Sequence, residues 1–429
     1  MKFCAGGDLV IQANLPDVHK GTDELREFIT KADARIVNLE VPIVEKNCCG
    51  STFSGGPPLC TKPYAVDIMR RYGFNACGCA NNHTFDYGLG GLYQTMDILD
   101  RENFLRAGIG RSLDEATAPA TIPTSKGNVA YIAVYTSYWE NDSMRAGYAH
   151  GDIPARPGVN ALRRTDECLV TPEEMEFVKD LAYRTLVNAE EDMEEALGYG
   201  RKYDGTFTFG TVKFRESDHT GRFSRPNETD TKRIEREIKN AKMCHEYCVV
   251  SMHSHQFRGR LEHETDYFQE EFAHRCIDAG ADAFVGTGTH MPKAIEIYKG
   301  KPIFYCLGNF IFQGLYVNRL TSDFIEGLGY PTDMTAQEVF DRQHREASHS
   351  MEDFPIYYMG IVPRWEMENG KVIKIELLPI EMGMNEPLGL KGFPSPMEPE
   401  KLMEHMQMVC EPYGTKLKIN GDVIEVVLD

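Results

Sequence analysis

Six strand-like runs in this chain each end in a residue able to bind a cation or carry a proton. That arrangement restricts the fold more than any bulk property does. The runs close on Gly7-Asp8, Asn38-Leu39-Glu40, Asn81-Asn82-His83, His253-Ser254-His255, Thr289-His290 and Gly308-Asn309. Between them lie segments with helical apolar spacing: Leu25, Phe28 and Ile29 mark one face, Leu92, Met96 and Leu99 another. The rhythm returns later, with helical segments at 234–238 and 268–277 and strand-like runs at 248–252, 283–286 and 302–307. Alternation of this kind predicts a layered α/β domain. Ligands of open α/β sheets bind at the carboxyl edge of the strands, so the six ends are expected to converge on one site. Oxygen and imidazole donors suit Zn, Mn or Fe better than a thiolate-loving ion, and asparagine beside histidine points toward hydrolytic two-metal chemistry.

Taken singly, each residue has a plainer reading. Asp8 could cap a turn, Glu40 could pair with a base, and His253 could be a hydrogen-bonded core histidine. Asn82 could hold a turn through its own backbone. The coincidence of all six ends is what favours a site. Other catalytic signatures are missing from the sequence. Gly286-Thr287-Gly288-Thr289 lacks the Gly-Lys-Ser/Thr ending of a phosphate loop. There is no Gly-x-Ser-x-Gly elbow, and no dinucleotide fingerprint follows the first strand.

Charge and composition narrow the partners. With 46 basic against 65 acidic residues the formal charge is −19, which disfavours non-specific attraction to nucleic acid or to an anionic membrane. A local cation can still hold an anionic substrate. No apolar run approaches a membrane span. The sequence passes almost directly from Met1 into an apolar strand, without a signal segment, so a cytoplasmic location is expected. Several of the twelve cysteines sit in apolar runs, where a free thiol acts as a small hydrophobe; a reduced chain is predicted. Cys48, Cys49 and Cys60 flank a glycine- and proline-rich loop without the paired C-x-x-C knuckles of a zinc site.

The chain reads as a single unit, 1–429, carrying an insertion at 139–245 that could act as a lid or recognise substrate, and a β-rich portion at 356–429. Within the insertion, 172–198 is acidic and helical in pattern, and 215–231 looks like a loop. Asn369-Gly370 between apolar runs predicts a hairpin.

Several of these strings resemble the CapA family, named for capsule, or poly-γ-glutamate, synthesis. They include Gly7-Asp8, Asn38-Leu39-Glu40-Val41-Pro42 and Ala80-Asn81-Asn82-His83-Thr84-Phe85-Asp86-Tyr87-Gly88. Ser251-Met252-His253 and the stretch from Gly280 through His290 to Phe310 continue the match, and Glu411-Pro412-Tyr413-Gly414-Thr415 extends it to the tail. The family is assigned to the calcineurin-like metallophosphatases, so the resemblance implies a four-layer α/β/β/α sandwich with a metal site at the sheet edge. It implies that one or two divalent ions (Mn, Zn or Fe) are held by Asp8, a bridging Glu40, Asn82, His253 and His290, with His255 as an added candidate. His83 would protonate the leaving group, and Asn309 would meet the substrate. Two positions depart from the pattern: Val10 stands where the superfamily has the histidine of Asp-x-His, and Thr287 where many relatives have the first histidine of Gly-His-x-x-His. The implied activity is a metal-dependent hydrolase cutting a phosphoester or an amide, γ-glutamyl included, in a small anionic or peptide-like substrate. The alternative is a non-catalytic polymer-handling protein with a decayed metal site.

Overall fold

The structure, a computed structural model, describes residues 1–429 except 17–18, 20, 53, 137–143, 201–203, 348–352, 384–385, 388 and 429. The first residues of the expected insertion, 139–143, lie outside the described ones. The principal elements in chain order are β1 (Lys2–Val10), α1 (Thr22–Thr30), β2 (Ala34–Leu39), α2 (Tyr64–Tyr72), β3 (Ala76–Gly78), α3 (Gly88–Arg101) and β4 (Leu105–Ala107). Next come β5 (Ala120–Thr124), β6 (Gly127–Thr136), β7 (Arg164–Val170), α4 (Pro172–Thr185), β8 (Phe207–Phe209), β9 (Val212–Glu216), β10 (Gly221–Pro226) and α5 (Glu228–Cys244). Then follow β11 (Tyr247–Ser254), α6 (Tyr267–Ala279), β12 (Ala283–Gly288), β13 (Ile295–Tyr298), β14 (Lys301–Phe304) and β15 (Asn309–Phe312). The chain closes with β16 (Met359–Glu368), β17 (Lys371–Glu381), α7 (Glu400–Cys410), β18 (Lys416–Asn420) and β19 (Val423–Val427).

Two large sheets carry the molecule. The first has ten strands along the path β18-β19-β17-β16-β1-β2-β3-β4, with β15 also on β1 and 395–396 on β17. The second has seven, in the order β13-β14-β12-β11-β6-β5, with 161–162 on β6. Alternation along β1 sends Phe3 and Ala5 into one core, shared with Tyr131, Ala133 and Phe304 of the second sheet. Cys4 goes to the other core, beneath α1, α2 and α3. Phe3 also stacks on Trp365 with ring centroids 5.3 Å apart. The sheets press together at Gly78, where a Cβ would lie 2.6 Å from the Tyr131 hydroxyl. Helices α5 and α6 add Ile234, Ile238, Phe268 and Phe272 to the core of the second sheet. Its strands β6, β11 and β12 run parallel and are buried, which is why they read as continuous apolar runs rather than alternating ones.

Local signals account for the element ends. Thr171 and Glu174 form a capping box ahead of Pro172 in α4. Asn227 accepts from the backbone N–H groups of Thr229 and Asp230 at the start of α5. The hairpin of β16 and β17 turns on Asn369 and Gly370, both at positive φ.

The segment 215–231, expected as a loop, is ordered as the end of β9, all of β10 and the start of α5. With β7 and β8 these strands form a separate four-stranded sheet. Its charges pair across strands: Arg215 Nε meets Glu167 Oε2 at 2.6 Å and Arg225 Nη2 meets Glu167 Oε1 at 3.0 Å. Polar composition thus concealed strands whose side chains satisfy one another. Helix α5, inside the 139–245 stretch, belongs to the main core, so the separate part of that stretch is the four-stranded sheet with its helices. All twelve cysteines are free.

Candidate metal centre

Asp8 reaches the site through an irregularity in its strand. The pairing of β1 shifts register on both sides of Asp8, against β2 and against β15, a device that re-aims a side chain. Gly7 allows the close approach this needs, since a Cβ there would fall 1.9 Å from the Gly308 carbonyl oxygen. The Asp8 N–H donates to that oxygen at 3.1 Å. The carboxylate then receives Asn38 Nδ2 at 2.7 Å and the Gly288 N–H at 3.0 Å.

Glu40, one residue beyond β2, forms the hub. It is fully buried, and among the described residues neither carboxylate oxygen has a hydrogen-bond partner. Three imidazoles surround its Oε1: His253 Nε2 at 3.3 Å, His255 Nε2 at 3.8 Å and His290 Nε2 at 3.8 Å. A buried carboxylate without donors carries a large desolvation cost, so the oxygens require a positive partner. Two potential ligand groups overlap on this residue, Glu40 with His253 and His255, and Asp8 with Glu40 and His290. His253 Nε2 also lies 2.7 Å from Asn82 Oδ1 and 3.2 Å from His255 Nε2. Ligands at the usual ~2.1 Å around one tetrahedral cation stand roughly 3.4 Å from one another. Separations of 3.2 to 3.8 Å among the carboxylate and imidazole donors therefore fit a divalent ion, while Asn82 Oδ1, at 2.7 Å, sits at hydrogen-bond distance from His253. Carboxylate, imidazole and amide oxygen together are donors that Zn, Mn or Fe accepts.

Electrostatics follow from this crowding. Burial opposes charge on Glu40, but the neighbouring His290 and His253 outweigh it and hold the carboxyl well below the usual carboxylate range. Burial likewise opposes a charged His253, yet Glu40 and then Asp8 carry it up to about 9. His255 goes the other way, with burial pushing it down to about 4 despite Glu40. Two buried carboxylates thus draw positive charge into the cluster, and a metal ion would supply that charge in place of protons.

His83 stands beside Asn82 and is held differently. Its Nδ1 pairs with Asp86 Oδ2 at 2.6 Å. Asp86 is also fixed by the N–H groups of Leu59 at 2.7 Å and Gly55 at 3.2 Å. Burial lowers the His83 pKa, but Asp86 prevails and raises it. Its Nε2 has no hydrogen-bond partner among the described residues. A raised, carboxylate-braced imidazole is what a proton donor near neutral pH requires.

The structure therefore gathers Asp8, Glu40, Asn82, His253, His255 and His290, with His83 alongside. Asn309, expected at the substrate, is fully buried; its Oδ1 lies 2.8 Å from His290 Nδ1, while its Nδ2 donates to the Tyr357 carbonyl at 2.9 Å and to the His290 carbonyl at 3.4 Å. It thereby orients an imidazole of the cluster. Thr287 is likewise occupied, its hydroxyl 3.0 Å from His253 Nδ1. Sequence reasoning gave no role to Asn38, whose amide holds Asp8 and lies 3.1 Å from His253 Nδ1, nor to Asp86. Both sat inside the strings that carried the resemblance, and each lies within three positions of an assigned residue.

Fold and cluster together define an α/β protein with a buried carboxylate–histidine centre at the edge of its sheets. A sequence profile of the family described as bacterial capsule synthesis protein PGA_cap matches residues 2–314, and the chain belongs to that family. It is 30% identical over 437 residues to protein y4sH of Sinorhizobium fredii (strain NBRC 101917 / NGR234), an alignment covering 98% of this chain and 91% of that one. It is 25% identical over 290 residues to the "Probable polyglutamine synthesis accessory protein" of Mycobacterium tuberculosis (strain CDC 1551 / Oshkosh), across 67% of this chain and 58% of the relative. The PGA biosynthesis protein CapA of Bacillus subtilis (strain 168) aligns at 23% identity over 253 residues, 59% of this chain and 46% of that protein.

Proposed function

We propose that the protein is a metal-dependent hydrolase of the metallophosphatase type, working in capsule or polyglutamate metabolism on a phosphoester or a γ-glutamyl amide. The observation that carries this reading is Glu40, buried without a hydrogen bond at the meeting point of three imidazoles. The two facing sheets with helices on their outer sides support a four-layer sandwich of that superfamily. Glu40, His253, His255 and Asn82 would hold one ion, and Asp8, Glu40 and His290 a second. Bound there, a divalent ion would polarise a phosphoryl or carbonyl oxygen and ease ionisation of water.

The remaining chemistry belongs to the chain. Asn38 and the Gly288 N–H hold Asp8 in orientation, and Asn309 does the same for His290. His83, charged through Asp86, delivers a proton from Nε2 to the leaving oxygen or nitrogen. Burial of the cluster keeps bulk water from competing with these contacts.

Thr287, hydrogen-bonded to His253 rather than free to ligate, favours the second reading, a polymer-handling protein that retains the fold without turnover. Metal analysis of purified protein, followed by assay of phosphoesters and γ-glutamyl amides with and without Mn, separates the two. Stoichiometric metal with metal-dependent turnover supports the hydrolase; metal-free protein that hydrolyses neither class leaves the second reading.

A further inference from the structure

Beside the His83 loop lies a cavity of about 170 Å³ whose wall includes Gln12, Cys60, Lys62, Tyr64, Tyr87 and Arg319. Among the described residues no carboxylate lines it, which is unexpected in a chain of charge −19. Among the described residues Arg319 has no acidic partner, and the hydrogen bond recorded for the Lys62 ammonium goes to the Val44 carbonyl at 2.9 Å. A second feature is independent of charge. Gln12 Nε2 is buried with no acceptor, although its own backbone is fully engaged, with the N–H donating to Gln313 Oε1 at 2.8 Å and the carbonyl accepting from Tyr64 Oη at 2.9 Å. Two cations around one small space, with an unsatisfied amide packed in its wall, lack only an acceptor of negative charge.

The cavity is tied to the catalytic edge by the chain itself. Tyr87 directly follows Asp86, the brace of His83, and Cys60 follows Leu59, whose N–H also holds Asp86 at 2.7 Å. Gln12 lies just past the end of the strand that carries Asp8.

We propose that this cavity is an oxyanion subsite that grips a carboxylate or phosphate on the leaving side of the substrate through Lys62 and Arg319. As a substrate-positioning subsite it rests on the hydrolase reading; as an anion site it stands on its own donors. A glutamyl chain offers such a group in its free carboxylates, and a phosphoester with a second phosphate offers the other. The subsite gives an acidic protein a local means of seating an anionic substrate beside its proton donor.

Titration calorimetry on chelator-treated protein tests this, with glutarate and inorganic phosphate as separate probes. Binding without metal is expected, weakened about ten- to hundredfold in Arg319→Gln and in Lys62→Met. Arg111→Gln, a surface arginine paired elsewhere with Asp97 at 2.9 Å, is expected to bind like the parent. Arg319 is exposed, so its substitution leaves the core intact. Preference for glutarate assigns the subsite to carboxylates, and preference for phosphate assigns it to phosphoesters. Equal affinity in parent, Arg319→Gln and Lys62→Met, or no binding of either probe, overturns the proposal. Metal content and metal-dependent turnover measured on the protein before chelation test the hydrolase reading separately: a protein that holds no metal and hydrolyses neither substrate class, yet binds glutarate through Arg319, keeps the subsite and loses the hydrolase.

Discussion

At the scale of single residues, the site divides into side chains that would hold the metal and side chains that serve them. His83 and His253 are both buried, yet the first is fixed by Asp86 at 2.6 Å and the second faces Glu40 and Asn82. His83→Ala should therefore keep its metal and lose about 10²–10⁴-fold in turnover, the usual range for a general acid. His253→Ala should lose metal and activity together. Metal analysis alongside kinetics checks the contrast, and loss of metal in His83→Ala would place that residue among the ligands. Lys293 gives a separate test, through pH. It is buried, and burial lowers its pKa from 10.5 to about 8, against the pull of Cys306, Glu262 and Asp266. Between about 8 and 10.5 the unfolded chain binds the proton more tightly than the folded one, so this group makes stability rise with pH across that window. Below pH 8 its cost is fully present, on the order of 3 kcal/mol. Lys293→Met should accordingly exceed the parent in stability at pH 7, and the difference should shrink as pH rises to 9.5. Urea melts at the two values read this directly, and a constant difference would mean that the lysine stays charged in the fold.

At the scale of elements, the site depends on how closely strands approach. A Cβ on Gly7 would meet the Gly308 backbone oxygen at 1.9 Å, and no rotamer change can relieve a clash with backbone. Gly7→Ala should lose roughly 1–3 kcal/mol or more from overpacking and should weaken metal binding by displacing Asp8, measurable by thermal melts and metal content of one preparation. Sequence periodicity made the alternating strands and helices legible, because parallel strands buried on both faces must be apolar throughout. The strand ends were legible for the same reason, since polar residues at the close of apolar runs stand out. Strands β9 and β10 were not, because their arginines find Glu167, Asp166 and Asp266 only after folding. The contact of Asn309 with His290 was hidden on similar grounds: a strand-end asparagine is compatible with touching substrate or with bracing a histidine, and the pairing with His290 forms only on folding.

At the scale of the whole molecule, the cluster joins both sheets, with Asp8, Glu40 and Asn82 supplied by the first and its loops, and His253, His255 and His290 by the second. A cation seated there would tie the sheets together, whereas the metal-free protein has two buried carboxylates to neutralise with protons. Any ligand that binds the folded state alone raises stability by mass action, by about 2.7 kcal/mol at a hundredfold excess over its dissociation constant. Adding Mn or Zn to chelator-treated protein should therefore raise Tm in proportion to the logarithm of metal concentration. Glu40→Gln removes the charge common to both ligand groups while keeping nearly the same volume, so it should abolish that rise. Asn309→Ala, which only frees His290 from its brace, should diminish the rise without eliminating it. Equal metal-induced shifts in the parent and Glu40→Gln would show that the ion binds elsewhere, and that the buried carboxylate serves the fold rather than the reaction.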